Sequence, residues 1–276
     1  MTATEGIASL EEVARQMRAD ILRQIHWAGS GHPGGSMSCV EILAALYAHR
    51  IRPGCNWIRA NGRDRVILSK GHAAPALYAA LAAVGLIPRE ELKTLRQLGS
   101  RLQGHPDRSR LIEVEMSTGS LGQGLSVSLG LALAIARQGA PHYSYCILGD
   151  GEMNSGQVWE AIMFAGVHKI ERLVAILDAN GLQNDGSVAD IMEIRPYRPK
   201  LEAFGWAVTE IDGQDMAQVV EAVDWASSEA PGRRPRMIVA NTTKGAGVSY
   251  MAGRADWHSH SITDDQLATG LQELSN

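Results

Sequence analysis

Residues 145–186 read YCILGDGEMNSGQVWEAIMFAGVHKIERLVAILDANGLQNDG, and this stretch decides the fold. Tyr145 to Leu148 is an apolar run that stops at Gly149-Asp150-Gly151. A helix-like segment follows, and a second apolar run, Leu173 to Leu177, empties into Asp178-Ala179-Asn180-Gly181. Two buried strands joined by a helix make a βαβ unit, and open parallel sheets bind ligands beyond the carboxyl ends of their strands. The two ends lie side by side, so Asp150 and Asn180 can converge on one point. A carboxylate with an amide oxygen is hard-oxygen ligation, suited to magnesium that keeps its other positions for phosphate and water. The flanking glycines let backbone groups approach an anion closely. Gly-Asp-Gly or Asn-Gly alone is a common turn; together, at two strand ends, they read as a site.

The same alternation runs along the rest of the chain. Val66 to Leu68, Trp206 to Ile211 and Met237 to Ala240 read as further strands, and Ala73 to Val84, Gly119 to Arg137 and Met216 to Ser228 as helices. Ser9 with Glu12 reads as a capping box ahead of a helix that carries Val13, Met17, Ile21 and Ile25 on one face. The pattern predicts an α/β fold, a parallel sheet sandwiched by helices. The 276 residues are read as a single domain, with Arg195 to Pro199 and Glu229 to Arg233 as surface loops.

Composition narrows the partners. With 45% hydrophobic and 20% charged residues the chain is ordinary for a globular protein. A net charge of −4 gives no reason to expect nucleic acid or a membrane surface as partner. Leu125 to Ala136 is too short and too serine-rich to span a bilayer. The amino terminus lacks the basic and apolar regions of an export signal. Cys39, Cys55 and Cys146 are odd in number and widely spaced, so they read as reduced thiols without a disulfide framework or zinc site. The cytoplasm is the expected address.

Five more segments look like site loops. Gly29 to Ser36 packs four glycines and a proline around His32, and Leu68 to His72 ends a strand at a histidine that opens the next helix. A histidine at that position can donate to a phosphate with help from the helix's positive end. Gly104-His105-Pro106 presents a third histidine, and Ser117 to Gly124 a glycine-rich helix start whose N–H groups suit a diphosphate. The last is Lys244 to Gly247, followed by Trp257 and His258. His26, His49, His142 and His168 have no such setting and read as ordinary surface or core residues.

Gly-Asp-Gly with an Asn some thirty residues on resembles the diphosphate-binding signature of thiamine diphosphate enzymes. GSGHPGG, LSKGHA, QGHPD, GSLGQG, GDGE with DANGLQNDG, and KGAGV with WH stand in the order in which transketolases carry them. Over about residues 10 to 262 the chain resembles the amino-terminal, diphosphate-binding half of a transketolase. The resemblance implies a thiamine diphosphate-binding fold and transfer of a two-carbon ketol unit from a ketose or its phosphate to an aldose or its phosphate. Asp150, the Asn180 side chain and the Leu182 main-chain oxygen are implied as ligands of magnesium, with calcium or manganese able to substitute. His72, Gly119, Leu121, Gly149, Asp150, Gly151, Glu152, Asn180, Lys244 and His258 are implied neighbours of the cofactor. His32, His72, His105 and His258 are implied to line the path to the reacting carbon, where imidazoles would bind hydroxyls and exchange protons near neutral pH.

The resemblance also implies what other chains bring. In transketolases the carboxylate that activates the cofactor's pyrimidine, and the arginines that hold sugar phosphates, belong to a pyrimidine-binding domain. A partner subunit carrying the pyrimidine-binding and C-terminal domains, in an α2β2 heterotetramer, is therefore expected. Glu160 matches a carboxylate in an acidic network linking paired sites across the dimer. Ser155 stands where single-chain transketolases usually have Glu, so the network is expected to be rerouted through Glu152 and Glu160. Two other readings share the metal motif: the alpha subunit of a thiamine-dependent 2-oxoacid dehydrogenase, and a non-catalytic cofactor-binding paralogue.

Overall fold

Five strands rich in Val, Ile, Leu and Ala form one all-parallel sheet in a computed structural model that describes residues 3–51, 62–228 and 233–275. They are β1 (Arg65–Leu68), β2 (Ser144–Gly149), β3 (Leu173–Ala179), β4 (Ala207–Asp212) and β5 (Arg236–Asn241), in the spatial order β1-β2-β3-β5-β4. Side chains alternate between two cores. Val66, Leu68, Tyr145, Ile147, Val174, Ile176 and Ile238 enter one; Ile67, Cys146, Leu148, Ala175, Leu177, Met237 and Val239 enter the other. Both faces are covered over β1, β2, β3 and β5, which explains their runs of apolar residues in place of an apolar–polar alternation, while the edge strand β4 is only partly buried.

The first core is closed by α1 (Ala3–Ala28), α2 (Pro33–Ser38), α3 (Val40–Ala44), α4 (Ala74–Ala83) and, later in the chain, α9 (Met216–Ser227). The second lies under α5 (Gln123–Arg137), α6 (Gly156–Val167) and α8 (Tyr197–Ala203). A short α7 (Val188–Met192) and a final α10 (Asp264–Glu273) complete the α-helices among the described residues. Handedness dictates this distribution. The step from β2 to β3 passes over the second face through α6, whereas β4 to β5 runs back the other way. Right-handed crossovers therefore send α9 to the opposite face.

Register brings the functional ends together. Gly149 pairs with Asp178 and Ala179 with Asn241, so β2, β3 and β5 finish level. The Asp150 N–H donates to the Asp178 carbonyl at 3.3 Å, and the Thr242 N–H to that of Ala179 at 3.3 Å.

Several boundaries differ from the sequence reading. α1 begins at Ala3, upstream of Ser9, so Ser9 is a helix-interior residue and makes no capping box. Nothing before Ser9 breaks the helix apart from Gly6, whose cost of about 1 kcal/mol a long packed helix absorbs. The helix expected from Gly119 starts at Gln123, because Gly119 and Gly122 adopt φ of 144° and 84°. The expected helix from Ala73 runs from Ala74 to Ala83 behind a 3-10 turn at Gly71–Ala73. β4 and β5 are shifted by one residue or lengthened relative to expectation. Cys39 and Cys146 are buried and free; Cys55 and Glu229 to Gly232 lie outside the described residues.

α6 meets the turn before β4 with no room to spare. A Cβ at Gly166 would land on the Phe204 carbonyl oxygen, while the buried Trp206 donates its indole N–H to the Ile162 carbonyl at 2.9 Å. Gly166→Ala should therefore cost on the order of 3 kcal/mol, since backbone cannot yield as a side chain does. Gly130, exposed in α5 with nothing within 4 Å of its Cβ position, gives the opposite expectation. Gly130→Ala should stabilise by about 0.5–1 kcal/mol through lost unfolded-state freedom. Denaturant unfolding of both variants checks the pair; equal destabilisation would contradict this packing.

Candidate active site

Asp150 leaves β2 directly into a 3-10 turn, and its carboxylate is held from two sides. Oδ1 accepts the Gly151 N–H at 2.8 Å, and Oδ2 accepts the Gly181 N–H at 2.5 Å. Gly181 reaches back in this way because its φ is 76°, a left-handed conformation that glycine adopts without strain. Asp150 is 2% exposed and has no salt bridge among the described residues. Burial, reinforced by the nearby Asp178, pushes its carboxyl up to about 6. It is a buried negative charge in want of a cation.

Asn180 is aimed by its amide nitrogen. Nδ2 points at Ser38 Oγ (3.4 Å) and Asp178 Oδ2 (3.5 Å), and Oδ1 accepts the Leu182 N–H at 3.1 Å. Leu182 and Ser187 form an isolated antiparallel bridge closed by Gln183 N–H to Gly186 O and Val188 N–H to Gly181 O. The Leu182 carbonyl takes no part in those two bonds. Asp150, Asn180 and Leu182 all line one cleft of about 160 Å³. The set is all oxygen, one of them anionic, and fits a hard divalent cation.

Beneath these ends lies Asp178, fully buried, accepting from Lys70 Nζ, from Thr242 Oγ1 and from Ser38 Oγ at 2.6 Å. Lys70 also donates to the Gly35 carbonyl at 2.8 Å. Burial works against the Lys70 charge, and Asp178 more than offsets this, holding the pKa above the ordinary lysine value. Glu152 is equally committed. It accepts from Ser69 Oγ, from the Gly122 N–H at 2.6 Å and from the Gly149 N–H at 3.2 Å. Its carboxylate thereby ties the glycine-rich loop to the ends of β1 and β2.

The four histidines come together from four separate loops. The His32 ring centroid lies 5.4 Å from that of His72, 5.5 Å from His258 and 6.1 Å from His105, and His72 lies 4.9 Å from His258. Burial drives the pKa of His32 and of His258 down to about 4, helped by the positive charges of Arg96 and Lys244 respectively. His72 and His105 are lowered by burial too. With their pKa values lowered, the four imidazoles are uncharged near neutral pH. Among the described residues His32 Nδ1 is buried without a hydrogen-bond partner, an orphan that a bound group would satisfy.

His72, Leu121, Gly149, Gly151, Glu152, Lys244 and His258 line the cleft with the oxygen ligands. Gly119 stands behind it, its Cα packed toward the His105 ring. Glu160 is exposed on α6, outside the lining. His26, His49 and His142 face Asp264, Asp224 and Asp64, and His168 packs on Phe164, all away from the cleft. Sequence reasoning missed Gly35, Lys70, Gln183 and Asn184, which also line the cleft. Lys70 was visible inside LSKGHA beside the histidine that drew attention; nothing in their chemistry marks Gln183 and Asn184. Arg96 was missed as well: its guanidinium lies against Gly104 and donates to Ser30 Oγ at 3.1 Å, bridging two histidine loops.

An all-parallel sheet with Asp150 and Asn180 at its strand ends, lining one cleft with His72 and His258, defines an α/β chain with a polar cleft beyond the carboxyl ends of its strands. Residues 9–275 match the family described as "Transketolase, thiamine diphosphate binding domain", and the chain belongs to it. It is 43% identical over 276 residues to the 6-deoxy-6-sulfo-D-fructose transketolase subunit SqwG of Clostridium sp. (strain MSTE9), covering 98% of each chain. It is 37% identical over 269 residues to one of the subunits of the apulose-4-phosphate transketolase of Phocaeicola vulgatus, covering 98% of this chain and 95% of that one. The solved transketolase from Leishmania mexicana superposes with a TM-score of 0.89 at 32% identity, covering 97% of this chain and 41% of that one. The fold is the thiamine diphosphate-binding fold, in a transketolase chain of the kind that serves as the N-terminal subunit of split sugar transketolases.

The depressed histidines predict a pH response with a definite sign. Unfolded, His32 and His258 take up a proton near 6.5; folded, they do so near 4. Between those values the unfolded chain binds more protons, so their share of stability falls as pH drops through that window. Histidine NMR should show both rings still neutral at pH 5.5, where an exposed imidazole is mostly charged. Titration midpoints near 6.5 would contradict the burial described.

Proposed function

We propose that this chain is the diphosphate-binding subunit of a two-chain, magnesium-dependent transketolase that moves a two-carbon ketol unit between sugars or sugar phosphates in the cytoplasm. The observation that carries this is the oxygen pair Asp150–Asn180 opening onto the same cleft as His72 and His258, with His32 ranged alongside. Asp150, Asn180 and the Leu182 main-chain oxygen would hold magnesium, for which calcium or manganese can substitute. His72, Gly119, Leu121, Gly149, Gly151, Glu152, Lys244 and His258 would surround thiamine diphosphate. When bound, that cofactor supplies a nucleophilic carbon and an electron sink for C–C cleavage beside a carbonyl.

The protein's own contribution is positioning. His32, His72, His105 and His258, neutral, hydrogen-bond sugar hydroxyls and the reacting carbonyl. Lys244 sets a positive charge beside the anionic cofactor. Glu152 serves by fixing Gly122 and Gly149, its oxygens being already occupied.

Three relatives matched along nearly their whole length are named as transketolase subunits, which supports a second chain carrying the pyrimidine-binding and C-terminal domains. Met163, Phe164 and Val167 leave α6 exposed as an apolar face, with Glu160 on the same helix. Exposed apolar patches of this kind mark interfaces. We assign this face to the other subunits of an α2β2 assembly, with Glu160 meeting a neighbour. The sugars named for the relatives bear a sulfonate or a phosphate, which supports an anionic sugar as substrate.

Asp150→Ala should abolish magnesium-dependent thiamine diphosphate binding by the assembled enzyme while leaving the fold intact, and Asn180→Ala should weaken it less. Calorimetry giving wild-type affinity for Asp150→Ala would remove the metal assignment. His105→Ala should lower kcat/KM by roughly ten- to a thousandfold with a good ketose donor. The deciding experiment is reconstitution. The purified chain is expected to be inactive, and ketol transfer to appear on mixing with a pyrimidine-domain partner; robust transfer by this polypeptide alone would overturn the two-chain reading.

A further inference from the structure

Lys244 is 1% exposed, yet no carboxylate lies within ion-pair distance of it among the described residues. Its ammonium has two polar contacts: it donates to the Gln183 carbonyl at 3.0 Å, and it stands 3.1 Å from Nδ1 of His258. The stem cannot withdraw. A Cβ at Gly34 would come within 2.9 Å of Lys244 Cγ, and the Lys244 backbone is pinned by the Gly253 N–H on its carbonyl at 2.8 Å.

An ammonium has three donors and no acceptor. Its contact with His258 is a hydrogen bond only if Nδ1 carries the lone pair. A neutral imidazole has a single ring proton, which must then sit on Nε2. We propose that Lys244 is a positioning residue that locks His258 in the Nε2–H tautomer, so that the nitrogen remote from Lys244 is a hydrogen-bond donor and not a proton acceptor. Burial and the Lys244 charge keep a second proton off the ring down to a pH of about 4. The single tautomer therefore persists across the neutral range.

The consequence is a division of labour within the histidine wall. His258 offers an N–H to an oxygen acceptor in the cleft. Removal of a proton at neutral pH falls to a ring without a hydrogen bond to an ammonium. His72 lies 4.9 Å away and His32 5.5 Å away, neither with a hydrogen bond to Lys244 among the described residues.

Nitrogen NMR on the full-length chain with isotope-labelled histidine tests this at neutral pH, the His258 signals being assigned by their loss in His258→Gln. The wild-type chain is expected to show a bare Nδ1 and a protonated Nε2 for His258. Lys244→Met keeps an unbranched stem against Gly34 and removes the donors, so its His258 should lose the single-tautomer pattern. Lys244→Arg should restore it. A wild-type spectrum with the proton on Nδ1 overturns the proposal, as does a folded Lys244→Met chain in which His258 keeps one unaltered tautomer. The wild-type spectrum decides even if Lys244→Met does not fold. It is read without partner or substrate, so its outcome is separate from the success or failure of the reconstitution.

Discussion

The buried ion pair between Lys70 and Asp178 is the constraint around which this site is arranged. Removing two charges from water costs several kcal/mol each, and the interaction repays that only when the remaining valences are satisfied. Here they are. Asp178 takes Lys70, Ser38 and Thr242, and Lys70 takes the Gly35 carbonyl as well. Those residues come from the end of β1, from α2, from β3 and from the segment after β5, so one cluster holds four parts of the chain at the same end of the sheet. Well-packed apolar side chains could stabilise the fold as much. What they could not do is aim the Asn180 amide, whose nitrogen turns toward Ser38 and Asp178 and leaves its oxygen to accept the Leu182 N–H.

The same cluster sets the electrostatics of the cleft. Lys70 and Lys244 are both buried cations, and each depresses the pKa of His72. Burial lowers Lys244 to about 8, with Lys70 acting in the same direction. A lysine at that value is still mostly charged at neutral pH. Two ammonium groups, one of them paired with Asp178, share the cleft with the neutral imidazoles and with Asp150 and Glu152, and a protonated histidine beside those ammonium groups would be repelled. Neutral rings are thus a consequence of burial first and of the neighbouring positive charge second.

How much of this was legible beforehand follows from what kind of signal each part carries. β2, β3 and their polar ends were readable because a strand buried on both faces leaves an unbroken apolar run, and Gly149, Asp150 and Gly181 interrupt it abruptly. Histidines inside glycine-rich loops were readable as a set, since His32, His72, His105 and His258 share the same kind of setting. Lys70 and Asp178 were not. A buried ion pair joins residues 108 positions apart, and neither member carries a local mark of burial. The capping box at Ser9 failed for the opposite reason: the local pattern was present, but a helix with a continuous buried face extends through a weak stop. α5 starts later than the glycine-rich segment suggests because Gly119 and Gly122 adopt positive φ values that form a loop ahead of it.

Asp150 and Glu152 show why spacing alone could not assign roles to acids two residues apart. Both are 2% exposed, and burial raises both carboxyls. The difference lies in their partners. Asp150 receives two backbone N–H bonds that orient it, and no side-chain cation or hydroxyl donates to it among the described hydrogen bonds. Its charge remains the property that a ligand must answer. Glu152 receives a hydroxyl and two N–H groups, which account for most of its acceptor capacity. A carboxylate so occupied has little left for a metal. Its value lies in where it holds Gly122: that residue caps α5 in a left-handed conformation, and the loop before it packs Gly119 against His105. One acid presents charge to the cleft while its neighbour fixes the wall that shapes it, a distinction that depends on which way each side chain turns out of the same 3-10 turn.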